Sequence, residues 1–311
     1  MSRIAVIGAG AVGCYYGARL AEAGHEVHFL LRSTYDAVAE SGLHIESVDG
    51  DIDLDAPAIA RTSREIGAAD WVICALKATA MDEARDLIAP CVDERTSILA
   101  LMNGLGIEDQ LASWFPGTPI FAGLGFTCIN RGEAGRIHHI DYGPVTIAHL
   151  GDDEAEIGRG AAVWADAKVE VPTASSLLAA RWQKLCWNVP FNGLTVTGGG
   201  ITTDVVMGDG ELRAAADGLM RELCAAGNAD LEEHGSSARL DADAVVESMM
   251  TRTATMAAYR PSTMIDFLEG REMEIDAIFE APLRRASELG VSTPLLAMLT
   301  GQIRILGRSA G

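Results

Sequence analysis

The first turn of the chain constrains its fold more than any other feature. An apolar run at 4–7 is followed by glycines at positions 8, 10 and 13. The run is typical of a short buried strand, and the glycines fit a tight turn into a helix. Gly8 lets the chain turn, Gly10 leaves room for a phosphate at the backbone amides, and Gly13 lets the helix lie close to the strand. We therefore predict a dinucleotide-binding turn, the alternative being a glycine-rich structural turn, made of Gly8, Ala9, Gly10, Ala11, Val12 and Gly13.

Length and charge narrow the class of protein. The chain has 311 residues, 49% of them hydrophobic, which is enough for two domains, and a formal net charge of −20. This charge disfavours nucleic acid and anionic membranes as partners. No apolar run reaches the length of a membrane span, and the chain starts with a predicted strand rather than a signal peptide. We expect a cytoplasmic protein.

Cysteine and histidine positions do not favour a metal site. The six cysteines are scattered without a CxxC pair, which predicts buried free thiols rather than disulfides or metal ligands. His138, His139 and His149 lie on a predicted two-stranded ribbon without an acidic partner, and we interpret them as surface or hydrogen-bonded histidines. No metal ion is predicted.

Polar side chains follow three of the predicted strands. Strands at 26–31, 71–76 and 97–102 are followed by Arg32, Lys77 and Asn103. In open parallel sheets, ligands bind outside the carboxyl ends of the strands, so we predict that these three residues contact the cofactor. Arg32 stands where an acid would bind the ribose of NAD, and it therefore favours NADP(H). The alternatives are a surface arginine and solvated or capping roles for Lys77 and Asn103.

The remaining pattern predicts an α/β domain followed by an all-α domain. Residues 1–172 fit a Rossmann-type doubly wound parallel sheet, and residues 173–311 fit a helical substrate and catalytic domain. The elements predicted in the first domain are a hairpin within 43–61, a strand at 120–123, a second hairpin with strands at 136–140 and 145–150, and a helix and a last short strand within 151–171. The predicted helices of the second domain lie at 175–194, 211–233, 242–256, 273–289 and 294–306.

A polar stripe follows one face of the first helix in the second domain. Lys184, Asn188 and Asn192 are spaced at i, i+4 and i+8 among mainly apolar residues. A lysine on an apolar helix is costly unless it has a partner or a ligand. We predict that the stripe faces a substrate, with the ammonium meeting a carbonyl oxygen or a carboxylate. A solvated helix face is the alternative.

These motifs, with residues 262–266 and 270–276, resemble the ketopantoate reductase (2-dehydropantoate 2-reductase) family in order along the whole chain. The resemblance implies NADPH-dependent reduction of 2-dehydropantoate to pantoate in the pantothenate and coenzyme A pathway. It implies Lys184 as general acid and substrate ligand, and Glu274 as its catalytic partner and a cofactor contact. Asn188, Asn192 and Ser262 would bind the small 2-keto acid. A homodimer is implied only for the family.

Several alternatives stay open. Glu274 also suits the N-terminus of a helix, and Ser262 suits a helix N-cap. Pro190 inside the helix and Gly193, where the family usually has proline, depart from the family pattern, so a paralogue that reduces another branched 2-keto acid is one rival. A non-catalytic dinucleotide-binding redox sensor is another. Short-chain dehydrogenase chemistry is excluded because none of the three lysines has a tyrosine four residues before it.

Overall fold

The chain forms two compact units in a computed structural model that describes residues 1–309. The first unit comprises Met1–Met102 and Ile107–Leu177. The second comprises Asn103–Gly106 and, within the described chain, residues 178–309. The segment Asn103–Gly106 therefore belongs to the helical unit, although it directly follows a strand of the first unit in sequence.

One mixed sheet forms the centre of the first unit. Its nine strands are β1 (Arg3–Ile7), β2 (Glu26–Leu30), β3 (Leu43–Ser47), β4 (Ile52–Leu54), β5 (Ala58–Ala60), β6 (Trp71–Cys74), β7 (Ser97–Ala100), β8 (Ile120–Arg131) and β9 (Arg136–His149). The spatial order is β4-β3-β9-β8-β7-β6-β1-β2-β5. Every neighbouring pair from β8 to β5 is parallel, whereas β9 is antiparallel to β8. The predicted parallel sheet is confirmed.

Helices cover both faces of this sheet. They are α1 (Ala11–Glu22), α2 (Tyr35–Ser41), α3 (Ser63–Ile66), α4 (Met81–Ile88), α5 (Ile107–Trp114) and α6 (Glu154–Ala162). Alternate residues of β1 enter different hydrophobic cores: Ile4 and Val6 pack on the face of Tyr16, whereas Ala5 and Ile7 pack on the opposite face. Because both faces of the strand are buried, its sequence is a continuous apolar run rather than an alternating one.

The predicted hairpin at 136–150 is wrong. Strand β9 is continuous and pairs with β8, which is itself much longer than the predicted 120–123. The chain reverses before β9, where Arg136 N donates to Glu133 O at 2.9 Å and Gly135 has φ +82. The turn-like residues at 141–144 instead form a bulge: Tyr142 has φ 56, and the register with β8 shifts there. A full-length partner strand keeps the chain extended through this bulge.

Two other predictions in the first unit had different outcomes. The small hairpin is confirmed, since β3 and β4 are antiparallel, and β5 then returns to pair with β2. The last short strand is reduced to an isolated bridge between Ile147 and Thr173. It is held by bonds such as Ile147 N to Pro172 O at 2.9 Å.

Helices build the second unit. They are α7 (Leu177–Thr197), α8 (Thr203–Gly208), α9 (Gly210–Glu233), α10 (Ala242–Ala254), α11 (Ser262–Leu268), α12 (Ala281–Glu288) and α13 (Pro294–Ser309), with a π-helical turn at Asp276–Glu280 before α12. All five predicted helices are present, with shifted ends. The central helix α7 runs unbroken through Pro190, and its Trp182, Val189 and Phe191 are fully buried. Nowhere in residues 1–309 does a helix combine the length and the apolar character that a membrane crossing requires.

The cysteines and histidines of the described chain are buried free thiols and hydrogen-bonded side chains rather than members of a metal-ligand cluster. All six cysteines are free and buried, as predicted. Burial raises the pKa of the Cys74 thiol to about 12. The expectation that these histidines have no acidic partner is wrong for His138, because its Nδ1 lies 2.8 Å from Glu46 Oε2 on the neighbouring strand β3. His139 Nδ1 lies 2.8 Å from Ser47 Oγ. Three or more potential metal ligands do not cluster anywhere in residues 1–309.

Candidate functional site

The three glycines of the first turn are each favoured for a different structural reason. Gly8 has φ +95, and a Cβ there would lie 2.5 Å from Leu76 N. A Cβ on Gly13 would lie 2.4 Å from Gly8 O, so glycine is needed for α1 to approach the turn. Gly10 has an ordinary φ of −79, and the three atoms nearest to a Cβ there, apart from its chain neighbours, all belong to the guanidinium of Arg131. Gly10 therefore leaves a space next to an arginine side chain, which can move, rather than next to a fixed backbone segment.

The N-terminus of α1 faces this open space with unsatisfied donors. Gly10 is the N-cap residue, it provides no side-chain cap, and the first turn of the helix has no acidic residue. The first backbone N–H groups of a helix lack intrahelical partners, and the helix dipole places partial positive charge there. This end of α1 therefore fits the pyrophosphate of a dinucleotide.

Arg32 and Lys77 share the edge of the sheet with this turn. They follow β2 and β6, which flank β1 on either side in the same direction. Both side chains are exposed. Arg32 forms an ion pair with Glu83 in the first turn of α4, and each of these side chains is 59% exposed. An exposed pair of this kind contributes at most about 1 kcal/mol, so a phosphate can replace Glu83 at the guanidinium.

Asn103 lies instead with the residues of the helical unit. Its Oδ1 accepts a hydrogen bond from Asn188 Nδ2 at 3.5 Å, and Asn188 is buried. The segment is tethered by Leu105 N, which donates to Ala277 O at 3.1 Å in the π-helical turn. Gly104 is required here, because it has φ +109 and a Cβ would lie 2.5 Å from Ala277 Cβ. The structure therefore brings Asn103 and the asparagine stripe together.

The rest of the stripe is also anchored. Lys184 is half-buried on α7, beside the fully buried Leu185 and Cys186. Asn192 is 2% exposed, and its Oδ1 accepts from Thr263 N at 3.0 Å. This bond commits the amide oxygen and leaves Nδ2 as the group of Asn192 that can donate to a ligand. The polar face of α7 is thus not a solvated surface.

Ser262 and Glu274 occupy contrasting positions. Ser262 is exposed and is the first residue of α11. Because Pro261 holds the N-cap position, the alternative of Ser262 as an N-cap is wrong. Glu274 is only 7% exposed and directly precedes helical Ile275, and its carbonyl oxygen accepts from Ile278 N at 3.2 Å. Its position at a helix N-terminus agrees with the alternative considered for it, but its burial is unlike that of a solvated capping acid.

An ion pair that we did not predict from the sequence lies between Ser262 and Glu274 along the chain. Arg271 Nε donates to Asp266 Oδ1 at 2.9 Å, and Arg271 N donates to Asp266 O at 2.8 Å. Gly270 between them has φ +63, which glycine adopts without strain. The signal was an acid and an arginine on either side of a glycine just after a short helix. This pair closes the turn from Asp266 to Arg271, which lies between Ser262 and Glu274 in the sequence.

Gly193, one of the two departures from the family pattern, has a packing explanation. A Cβ on Gly193 would lie 2.5 Å from Leu299 Cδ2, so glycine lets α13 pack closely against α7. A proline at this position would introduce atoms into the same space. The departure is therefore tied to the core of the helical unit.

The chain has the features of a class of protein in which a Rossmann-type sheet with a dinucleotide-type turn precedes a helical unit. The first helix of that second unit carries a half-buried lysine and two buried asparagines on one face. The family described as "Ketopantoate reductase PanE/ApbA" matches residues 4–152, and its C-terminal counterpart matches residues 176–306. The chain belongs to the ketopantoate reductase family.

Individual relatives extend over the same length. The chain is 36% identical to a 2-dehydropantoate 2-reductase of Nostoc sp., over 98% of this chain and 95% of the relative. It resembles the crystal structure of 2-dehydropantoate 2-reductase from Geobacter metallireducens with a TM-score of 0.92 and 39% identity, covering 99% of this chain and 100% of that one. It also resembles the crystal structure of 2-dehydropantoate 2-reductase from Methylococcus capsulatus, with a TM-score of 0.88 and 29% identity, covering 99% of this chain and 97% of that one.

Proposed function

We propose that this protein is an NADPH-dependent 2-dehydropantoate 2-reductase, which reduces ketopantoate to pantoate in pantothenate and coenzyme A biosynthesis. The observation that carries this proposal is the anchored stripe on α7, in which half-buried Lys184 precedes buried Asn188 and Asn192. The names of full-length relatives support the substrate. The dinucleotide-type turn supports the cofactor.

The residues of the first unit fit the parts of NADP(H). The turn Gly8–Gly13 and the N-terminus of α1 would hold the pyrophosphate, because Gly10 leaves space there and the helix offers unpaired N–H groups. Arg32 would pair with the 2′-phosphate in place of Glu83, and Lys77 would add a second positive charge at the same edge. When bound, the nicotinamide supplies the hydride.

Lys184 is the proton donor in this proposal. Negative charge develops on the carbonyl oxygen of the substrate as the keto carbon is reduced, and a positioned ammonium stabilises that charge and then transfers a proton. With a net charge of −20, the chain repels a small anion at long range, so a local cation is needed for binding as well. Lys184 meets both needs.

The neighbouring polar groups orient the substrate. Asn188 is already bonded to Asn103, which would contact the cofactor, and Asn192 is fixed through Thr263 N. The amides of Asn188 and Asn192 therefore lose little conformational freedom when they bind the substrate. Ser262 begins the adjacent helix with an exposed hydroxyl. Glu274 would act with Lys184 as its catalytic partner and would also contact the cofactor.

The test is a substrate panel. Purified protein is mixed with NADPH and, separately, with ketopantoate and other branched 2-keto acids, and NADPH absorbance is followed. The proposal expects ketopantoate to have the highest kcat/KM. A higher value for another acid would reassign the substrate, and NADPH binding without turnover of any acid would favour a redox sensor. Replacing Arg32 with alanine should reduce the preference for NADPH over NADH.

Location and assembly are also part of the proposal. We place the protein in the cytoplasm, which its six buried free thiols support, since free thiols persist in reducing compartments. We propose a homodimer on the basis of the family alone. Light scattering after size-exclusion chromatography tests the dimer by its mass.

A further inference from the structure

Arg131 reaches the space that Gly10 keeps open. An ideal Cβ on Gly10 would lie 2.8 Å from the nearer guanidinium nitrogen of Arg131, and the guanidinium carbon and Nε lie 3.8 and 3.9 Å from it. Apart from the chain neighbours of Gly10, these are the three atoms nearest to that position. The cation therefore stands directly over the dinucleotide turn.

The path of β8 explains how this residue arrives there. β8 runs parallel to β7 but continues well beyond it. The carboxyl end of β8 therefore extends past the edge of the sheet at which the glycine turn 8–13 lies. Close packing fixes the strand against α1, because a Cβ on Gly125 of β8 would lie 3.1 Å from Tyr16 Oη. Arg131 is the last residue of the strand, and its side chain is exposed and able to adjust.

Electrostatics make this position unfavourable without an anion. The N-terminus of α1 carries partial positive charge and has no acidic residue in its first turn. Arg131 adds a full positive charge to the same place. No carboxylate in residues 1–309 pairs with its guanidinium, in contrast to Arg32, which pairs with Glu83. Two positive groups that face each other across an open space of this kind are stabilised together when an anion enters.

We propose that Arg131 binds the pyrophosphate of the dinucleotide from the side opposite the N-terminus of α1. This assignment rests on the proposed function and deepens it, because it adds a phosphate ligand from β8 to the glycine turn. The guanidinium moves aside from the position over Gly10 and pairs with the phosphate oxygens that take its place. The pyrophosphate is then held between backbone N–H groups and a charged side chain.

Binding constants test this assignment without reference to turnover. The dissociation constants of NADP⁺ and of adenosine 2′-monophosphate, which lacks the pyrophosphate, are measured by calorimetry for the wild type and for R131Q. Loss of a charge-assisted hydrogen bond should weaken NADP⁺ binding about 10- to 100-fold and leave the monophosphate within about twofold. The variant R131K should recover part of the affinity, because it keeps the charge.

Controls separate this effect from general changes in charge or fold. Arg136 is an exposed arginine at the start of β9 in the same hairpin, and R136Q should bind both ligands like the wild type. Melting temperatures confirm that each variant is folded. Unchanged NADP⁺ affinity in R131Q would overturn the proposal, and so would tighter binding, which would make Arg131 an obstacle rather than a ligand.

The same data distinguish the two proposals. If the wild type binds NADP⁺ and reduces ketopantoate while R131Q binds NADP⁺ equally well, only the role of Arg131 fails. If the wild type binds NADP⁺ without reducing any 2-keto acid and R131Q still weakens binding, the proposed activity fails and the role of Arg131 stands.

Discussion

Replacing Gly13 with alanine should destabilise the first unit, whereas the same change at Gly10 should affect mainly cofactor binding. A methyl group on Gly13 would lie 2.4 Å from Gly8 O and 3.1 Å from Ala75 Cβ. Non-bonded heavy atoms are most stable about 3.5 to 4.0 Å apart, so α1 must shift by about 1 Å. Overpacking of this kind costs about 1 to 3 kcal/mol. Alanine regains about 1 kcal/mol through its helix propensity, which leaves a net loss of up to about 2 kcal/mol.

A matched control isolates the clash. Gly158 lies inside α6, is exposed, and has no atom within 4 Å of the position of its Cβ. The variant G158A should therefore gain up to about 1 kcal/mol from propensity alone. Urea denaturation of the two variants should differ by about 1 to 3 kcal/mol in the free energy of unfolding. A difference below about 0.5 kcal/mol would refute the claim that close approach of α1 requires glycine.

Gly10 completes the comparison. In G10A, the less favourable N-cap residue and the smaller entropy of the unfolded chain offset each other, and stability should stay within about 0.5 kcal/mol of the wild type. Its added methyl group occupies the space assigned to the pyrophosphate, and the dissociation constant of NADP⁺ should rise at least about tenfold. Unchanged affinity would show that the phosphate binds elsewhere.

Three further predictions concern other groups. A hydrogen bond from Lys168 lowers the pKa of the Glu22 carboxyl. The stability that Glu22 confers relative to E22Q should therefore be full above the ordinary carboxyl pKa of about 4.3 and should disappear as the pH falls through the lowered native value. Urea midpoints of the wild type and E22Q at both ends of that pH range test this. Replacing Asn192 with alanine leaves the buried Thr263 N without its acceptor and should cost about 1 to 3 kcal/mol by urea denaturation; no loss would remove Asn192 as an anchor. The six buried thiols should react with Ellman's reagent only slowly at about pH 8 in the native protein and fully after denaturation, and rapid native reaction would contradict their burial.

The parallel sheet was predictable because its signals are local. The three glycines directly follow the strand at 4–7 in the sequence. Each polar residue likewise lies within a few residues of the end of its own strand, β2 or β6. The second hairpin was misplaced for a physical reason. Asp141 to Pro144 have the composition of a turn, but whether they reverse the chain depends on pairing with β8, a long-range interaction that local composition does not report.

The candidate site shows the same division. Spacing along one helix was enough to predict the stripe of Lys184, Asn188 and Asn192. Their partners depend on tertiary packing: Asn188 bonds to Asn103, and Asn192 bonds to Thr263 N, residues distant in sequence. Arg131 was missed because the predicted strand ended before it, so its place over Gly10 could not be anticipated.

The role of Lys184 as proton donor is tested most directly by K184A in reactions with NADPH and ketopantoate, alongside direct measurement of NADPH affinity. Loss of a general acid should lower kcat/KM by about 100- to 10,000-fold, while the dissociation constant of NADPH stays within about twofold of the wild type. Full turnover by K184A would contradict the account, because no proton would then need to come from the stripe on α7.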